Sequence, residues 1–246
     1  MRLAVKGDWG HGTAAQAAVT RRICAEHRRA PLAAVVTTGD NFSRPEGVAT
    51  PANFTRPEAC LRRAGVPYIA AWGNNDLAGD ATAIALGAPG RYYATPVGPL
   101  RLVVLDANSP ADPAQLAFLD AELAAARSAG EVPVPVMHQP LASAGYHSPD
   151  PDQRALWVPR LRAAGVRVVL QGHNHAYERI VADGITHLTT GGGGAPVFPC
   201  LRRPEGLRSC RPRHHALIVT AWADWLFSEA LTPEGEVLDR ALLALP

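Results

Sequence analysis

Six side chains in this sequence have the types that hold divalent metals and a spacing that lets them act together: Asp8, Asp40, Asn74, His138, His173 and His175. Carboxylate, imidazole and one amide oxygen make a donor set for a transition metal such as manganese, iron or zinc. No thiolate belongs to the set, which argues against a closed structural zinc site. His173 and His175 stand two residues apart in Gly172-His173-Asn174-His175, so on an extended segment their rings lie side by side and can face two neighbouring ions. Glycine precedes Asp8, Asp40, Asn74 and His173, allowing sharp turns and close backbone approach. Any one of these pieces alone would be an ordinary turn or an ordinary histidine. Their joint occurrence at strand ends is what marks a site.

The elements needed to position them can be read from the same sequence. Leu3–Val5, Ala33–Thr38, Val66–Trp72, Val132–Met137 and Val166–Leu170 are short apolar, β-rich runs. Asp8, Asp40, Asn74, His138 and His173 follow their carboxyl ends, the edge at which open α/β sheets bind ligands. Leu102–Leu105 is a further strand, ending at Asp106, a residue expected to serve a turn. Helices lie between. Thr13 with Gln16 is a capping box for a helix to about Arg29, and Thr55 with Pro57 and Glu58 is a second, for a helix to about Ala64. Asp112 with Gln115 opens a helix through Arg127, and Gln153–Ala164 is a fourth. Ile180–Thr190, Ala216–Leu231 and Val237–Leu245 are strands separated by turns such as Asp183-Gly184 and Pro233-Glu234-Gly235. The order predicts a layered α/β fold with a mixed or largely parallel sheet finished by an antiparallel portion, in one domain over residues 1–246. Trp9, Trp72 and Trp157 are expected to pack in the core.

Bulk properties narrow the partners. Lys plus Arg number 24 against 22 for Asp plus Glu, a balance with no footprint for nucleic acid or an anionic membrane. The uncharged run Val132–Pro149 is interrupted by prolines, and no stretch has the makings of a membrane-spanning helix. MRLAVKGDWG enters a strand directly, without the features of an export signal, so the expected location is the cytoplasm, or outside the cell if a signal has been removed. Cys24 and Cys60 fall in helical segments and are expected to be core packing groups or inert thiols. Cys200 and Cys210 flank an Arg- and Pro-rich loop, where they either close a disulfide or remain loop thiols.

The ordered motifs GDWG, GDNF, GNND, VMHQP, GHNHAYER and GGGG resemble the calcineurin-like metallophosphoesterases, in their purple-acid-phosphatase-like branch, over nearly the whole chain. The resemblance implies a four-layered α/β/β/α sandwich with mixed sheets. It also implies hydrolysis of phosphate esters by water activated at two divalent metals (Mn, Fe or Zn), with a small phosphorylated substrate. Asp8 and His175 would hold one metal, Asn74, His138 and His173 the other, and Asp40 would bridge. Two departures qualify it. Ser43 stands where the purple branch has a tyrosine ligand, so a colourless divalent pair is expected. The family's other ligand position falls on Gly10; the next residue, His11, either reaches metal or phosphate or is an uninvolved loop histidine. Asn75 stands where the family has a histidine that serves the leaving group, and an amide is no general acid. His147 is the candidate substitute, against a plain loop histidine. Gln139 replaces a second histidine after His138, and Asp76 is retained to orient a neighbour. The implied activity is that of a phosphomonoesterase. The alternatives are a phosphodiesterase or nuclease, for which the five arginines of Arg202–Arg213 are the only hint, and a weakened relative that binds metal and phosphate without turnover.

Overall fold

Aliphatic runs buried on both faces form the strands, and alternate residues along each strand feed different layers. In the computed structural model, which describes residues 1–245, β1 (Arg2–Lys6), β2 (Ala34–Thr37) and β3 (Tyr68–Ala70) are parallel neighbours. They are joined by the antiparallel β11 (Ala216–Ala221), β12 (Trp225–Leu231) and β13 (Val237–Ala244) in a sheet of order β13-β12-β11-β1-β2-β3. The second sheet has the order β10-β8-β9-β7-β6-β5-β4. Its members are β4 (Tyr93–Val97), β5 (Leu100–Val104), β6 (Val132–Val136), β7 (Val168–Gln171), β8 (Tyr177–Ala182), β9 (Ile185–Thr190) and β10 (Leu207–Arg211). Both sheets are mixed.

The alternation builds the layers. Leu3, Val5, Val36, Leu102, Val104 and Leu170 point into the seam between the sheets. Ala4 and Val35 point the other way, against Val19 and Ile23 of α1 (Ala14–Arg29) and Leu61 of α2 (Ala59–Arg63). Val103 and Val169 face Leu119 and Leu123 of α4 (Pro113–Ala129) and Trp157 and Leu161 of α5 (Pro151–Ala163). The result is the α/β/β/α sandwich. Thr13, Asp112 and Asp150 cap α1, α4 and α5 with side-chain oxygens, and Pro113 and Pro151 occupy the first turns, where no amide donor is needed. A short helix, α3 (Ala81–Leu86), lies between β3 and β4. Trp9, Trp72 and Trp157 are buried as expected.

Three expectations are corrected. Thr55 does not cap the second helix. Thr50 and Asn53 instead form the reciprocal cap of a π-turn over Pro51–Thr55, and α2 begins only at Ala59. Glu58 is drawn inward because it meets a buried cation: its carboxylate takes Lys6 Nζ at 2.6 Å, Thr20 Oγ1 at 2.8 Å and Tyr68 OH at 2.7 Å. Cys24 and Cys60 are not separate thiols. The packing of α1 beside α2 brings their Cα atoms to 6.3 Å, and they form a disulfide, as Cys200 and Cys210 also do. The Arg- and Pro-rich stretch is not only a loop, since it contains β10, hydrogen-bonded to the edge of β8. Among the described residues no helix is long and apolar enough to cross a membrane.

Candidate metal centre

The carboxyl ends of β1, β2 and β3 in one sheet meet those of β6 and β7 in the other. Asp8 N donates to Gly39 O at 3.0 Å and Trp9 N to Asp40 O at 2.9 Å, so the turns after β1 and β2 are laced together. Asp8, Asp40 and His173 sit in the left-handed backbone region, with φ of 55°, 51° and 69°. Non-glycine residues pay roughly 1–3 kcal/mol there, and such strain gathers at working sites. At Gly73, a Cβ would collide with the Asp40 carboxylate and backbone, so the approach of the β3 turn requires glycine.

The side chains converge accordingly. Oxygen and nitrogen atoms of Asp8, Asp40 and His138 all lie within 4.8 Å of one another, and all three residues are buried. His138 Nε2 is 3.4 Å from Asp40 Oδ1 and 3.1 Å from His173 Nδ1, and His175 Nε2 is 3.2 Å from Asp8 Oδ1. Two backbone carbonyls set the tautomers. His138 Nδ1 donates to Thr38 O at 2.8 Å and His175 Nδ1 to Pro196 O at 2.7 Å. Each ring therefore turns the lone pair of Nε2 towards a carboxylate oxygen. Acceptor facing acceptor is repulsive unless a proton or a cation lies between. Asp8 Oδ1 is buried and accepts no hydrogen bond, as an atom reserved for a cation would be.

The electrostatics agree. Burial disfavours charge on His138 and His175, but Asp40 and Asp8 beside the first ring, and Asp8 beside the second, raise both pKa values. Burial, reinforced by Asp8 and Asp76, lifts Asp40 to about 6, against the pull of His138. Burial would raise Asp8 as well, yet the three imidazoles His138, His175 and His173 bring it below its usual value. Burial and the His138 charge pull His173 down to about 3.

The other predicted residues are placed as follows. Asn74 is exposed, and its amide meets Asn75 Oδ1 at 3.2 Å, not a carboxylate. Asn75 holds Asp40 with both of its nitrogens, backbone N to Oδ1 at 2.9 Å and Nδ2 to Oδ2 at 2.7 Å. His147 comes to the site, its ring centroid 3.8 Å from that of His173; burial and the neighbouring His175 lower its pKa. His11 is partly buried, and burial with nearby His175 lowers its pKa too. Ser43 Oγ is spent on the carbonyls of Trp9 and Asp40. Asp76 accepts from the amides of Gly73, Asn41 and Phe42, bracing the β2 and β3 turns. Gln139 donates to Asn108 at 2.9 Å, and Asp106 accepts from Asn108 N at 3.0 Å as a turn residue. Sequence reasoning missed Asn174, which is fully buried and holds His147 N at 2.8 Å; its position between the two histidines was the available signal. It also missed the carbonyls of Thr38 and Pro196, which carry no side-chain signal at all.

Residues 1–177 match the model of a family described as calcineurin-like phosphoesterase. The chain belongs to the calcineurin-like phosphoesterase family. It is thereby a metallophosphoesterase, a hydrolase of phosphate esters. No curated protein matches it by sequence. Solved structures share the family fold at low identity. One is described as GAP50, the anchor in the inner membrane complex of Plasmodium, with a TM-score of 0.83 and 17% identity over 100% of this chain and 89% of that one. A second is the purple acid phosphatase PPD1 from yellow lupin seeds, with a TM-score of 0.83 and 18% identity over 99% of this chain; the match spans 53% of the lupin chain. A third is a dimetal phosphatase from Danio rerio, with a TM-score of 0.72 and 14% identity over 100% and 99% of the two chains. This calcineurin-like phosphoesterase thus combines the family's strand-end geometry with Ser43, Asn75 and Gln139 at positions where histidine or tyrosine was expected.

Proposed function

We propose that the chain is a phosphomonoesterase using two divalent metals held by Asp8, Asp40, Asn74, His138, His173 and His175. The observation that carries this is the pair of imidazole lone pairs, each locked by a backbone carbonyl, facing carboxylate oxygens at 3.2 and 3.4 Å. The distances support a split into two positions, with His175 beside Asp8, His138 beside Asp40, and His173 beside His138. Asn74 completes the second position by rotating its amide away from Asn75. Two ions of manganese, iron or zinc would supply Lewis acidity at a phosphoryl oxygen and a water acidified towards neutrality. The chain's own residues do the rest. Asp8 and Asp40 provide the negative charge that retains the cations, Asn75 fixes Asp40, and His147, against His173, borders the substrate phosphate. His11 borders the same space. Ser43 leaves no tyrosinate, so the loaded protein is colourless.

The partner is a small phosphorylated molecule, consistent with the near-neutral net charge of +2. The unit is a single domain over residues 1–246. Its four cysteines are joined in two disulfides, which favours work in an oxidising compartment over the cytoplasm expected from the opening residues.

Hydrolysis of p-nitrophenyl phosphate and bis-p-nitrophenyl phosphate, with added Mn²⁺, Fe²⁺ or Zn²⁺ and elemental analysis of the same samples, tests the reading. Two ions per chain and faster turnover of the monoester are expected. Faster turnover of the diester would move the assignment to a phosphodiesterase. Two bound ions with no turnover of either compound would overturn it.

A further inference from the structure

A continuous run of rings leads from the candidate metal centre to solvent. Phe198 stacks on His175 with centroids 4.0 Å apart and planes 10° apart, and His147 lies against His173. Tyr146 closes the run, 5.0 Å from His147 and 5.3 Å from Phe198, and is 58% exposed. One exposed aromatic is unremarkable on a protein surface. Here the inner end of the run consists of His175, 3.2 Å from Asp8, and His173, 3.1 Å from His138, so its outer faces border the position of a bound phosphate ester.

The run is also held in place. Phe198 N donates to His175 O at 3.0 Å, and Leu201 N and Arg202 N both donate to Ala144 O, at 2.8 and 2.9 Å. The Arg202 guanidinium donates to His147 O at 2.8 Å and to Gly145 O, and the Cys200–Cys210 disulfide closes the same loop. The segment bearing Phe198 is therefore zipped to the segment bearing Tyr146 and His147. A surface whose side chains are fixed before binding loses little entropy when a flat ligand settles on it.

Asn75 points to the same kind of ligand. Its amide is engaged with Asp40 and has no proton to give a departing alkoxide. A leaving group that departs without help must be a stable anion, as a phenoxide is. In that reaction the phosphorus–oxygen bond to the ring oxygen breaks, and the oxygen of water bonds to phosphorus. The phenoxide keeps the bonding electron pair and takes its proton from bulk water, and the proton lost by the attacking water leaves with the phosphate product or to solvent.

We propose that Tyr146 and Phe198 form a shelf for the aromatic leaving group of aryl phosphate monoesters. The proposal rests on the phosphatase reading above and specifies its substrate class.

The test uses ligands that are not hydrolysed. Calorimetry on the full chain loaded with manganese would compare phenylphosphonate with cyclohexylphosphonate, which has similar bulk but no flat π face. Stacking should favour phenylphosphonate about threefold to tenfold. Tyr146→Ala should collapse that ratio towards one, and Tyr146→Phe should preserve it, so that a fault in folding is not mistaken for loss of the shelf. Phe198→Leu should reduce it as well. Equal affinities in the unaltered protein, or a ratio indifferent to Tyr146→Ala, would overturn the shelf and leave the phosphatase standing. Failure of both phosphonates to bind the loaded protein would overturn both proposals together.

Discussion

Of the four non-glycine residues with left-handed backbone among those described, Asp8, Asp40 and His173 belong to the candidate centre, and the fourth, Asp183, to a hairpin turn. The strain at the centre is offset by the hydrogen bonds that lace the turns and by the charges that collect there. Of the proposed ligands, Asp40, His138 and His175 are held by groups outside the proposed set: Asn75 and the carbonyls of Thr38 and Pro196. Asp8→Asn removes a carboxylate whose Oδ1 has no other partner, and it should lower the metal content from two ions towards one. Elemental analysis reads the stoichiometry, and kcat/KM should fall by about 100-fold or more. Asn75→His supplies the proton donor that the position otherwise lacks. It should raise kcat on alkyl phosphates by about tenfold to 100-fold while changing aryl phosphates little. Steady-state kinetics on paired alkyl and aryl substrates would show this, and an equal effect on both would contradict the role given to Asn75.

At the scale of elements, the centre depends on how closely the strand-end turns approach. Gly73→Ala puts a methyl group into the Asp40 carboxylate and backbone. The turn after β3 must then move, and metal affinity should drop about tenfold to 100-fold with little loss of secondary structure, as titration with Mn²⁺ and circular dichroism would show. The β1 strand is anchored just before Asp8 by Lys6, fully buried on Glu58 and 3.6 Å from the centroid of the Trp9 ring. Burial lowers the Lys6 pKa against the opposing pull of Glu58. Lys6→Met alone strands a buried carboxylate and should destabilise by about 3–5 kcal/mol in urea unfolding. The double change Lys6→Met with Glu58→Leu should recover much of that loss, because neither charge is then left without its partner.

For the whole molecule, acid stability has an identifiable contributor away from the centre. His187 on β9 is fully buried, and burial, with Arg154 nearby, lowers its pKa from 6.5 to about 4. The unfolded chain takes up this proton near pH 6.5, whereas the folded chain resists it down to about 4. The unfolded state binds more protons in that window, so stability is full above pH 6.5 and is lost as pH falls through 4. The loss amounts to about 3 kcal/mol. His187→Leu should flatten the acid limb of stability between pH 6.5 and 4, measured by urea midpoints across pH; an unchanged limb would assign acid sensitivity elsewhere. The two disulfides act on the same scale. Cys24 and Cys60 are separated by 36 residues and join α1 to α2, and loop-closure entropy assigns that link roughly 4 kcal/mol.

The sequence by itself determined a layered α/β order and the five strand ends that carry Asp8, Asp40, Asn74, His138 and His173, because apolar period, caps and glycine turns are local properties that survive without knowledge of neighbours. GHNH and the paired Gly-Asp motifs carried the donor chemistry for the same reason. Other features required distant segments to meet. Glu58, expected to cap the second helix with Thr55, instead meets Lys6 across 52 residues, and the reciprocal cap is made by Thr50 and Asn53. Cys24 met Cys60 only because two helices pack side by side. The tautomers of His138 and His175 are set by carbonyls that lie 100 and 21 residues away in sequence, and a carbonyl has the same covalent structure at every residue. The shelf of Tyr146 and Phe198 likewise exists only once two loops are zipped together. Donor types are a property of residues and are written in the chain, whereas the facing of lone pair to carboxylate is a relation between separated atoms, which only the closed sandwich establishes.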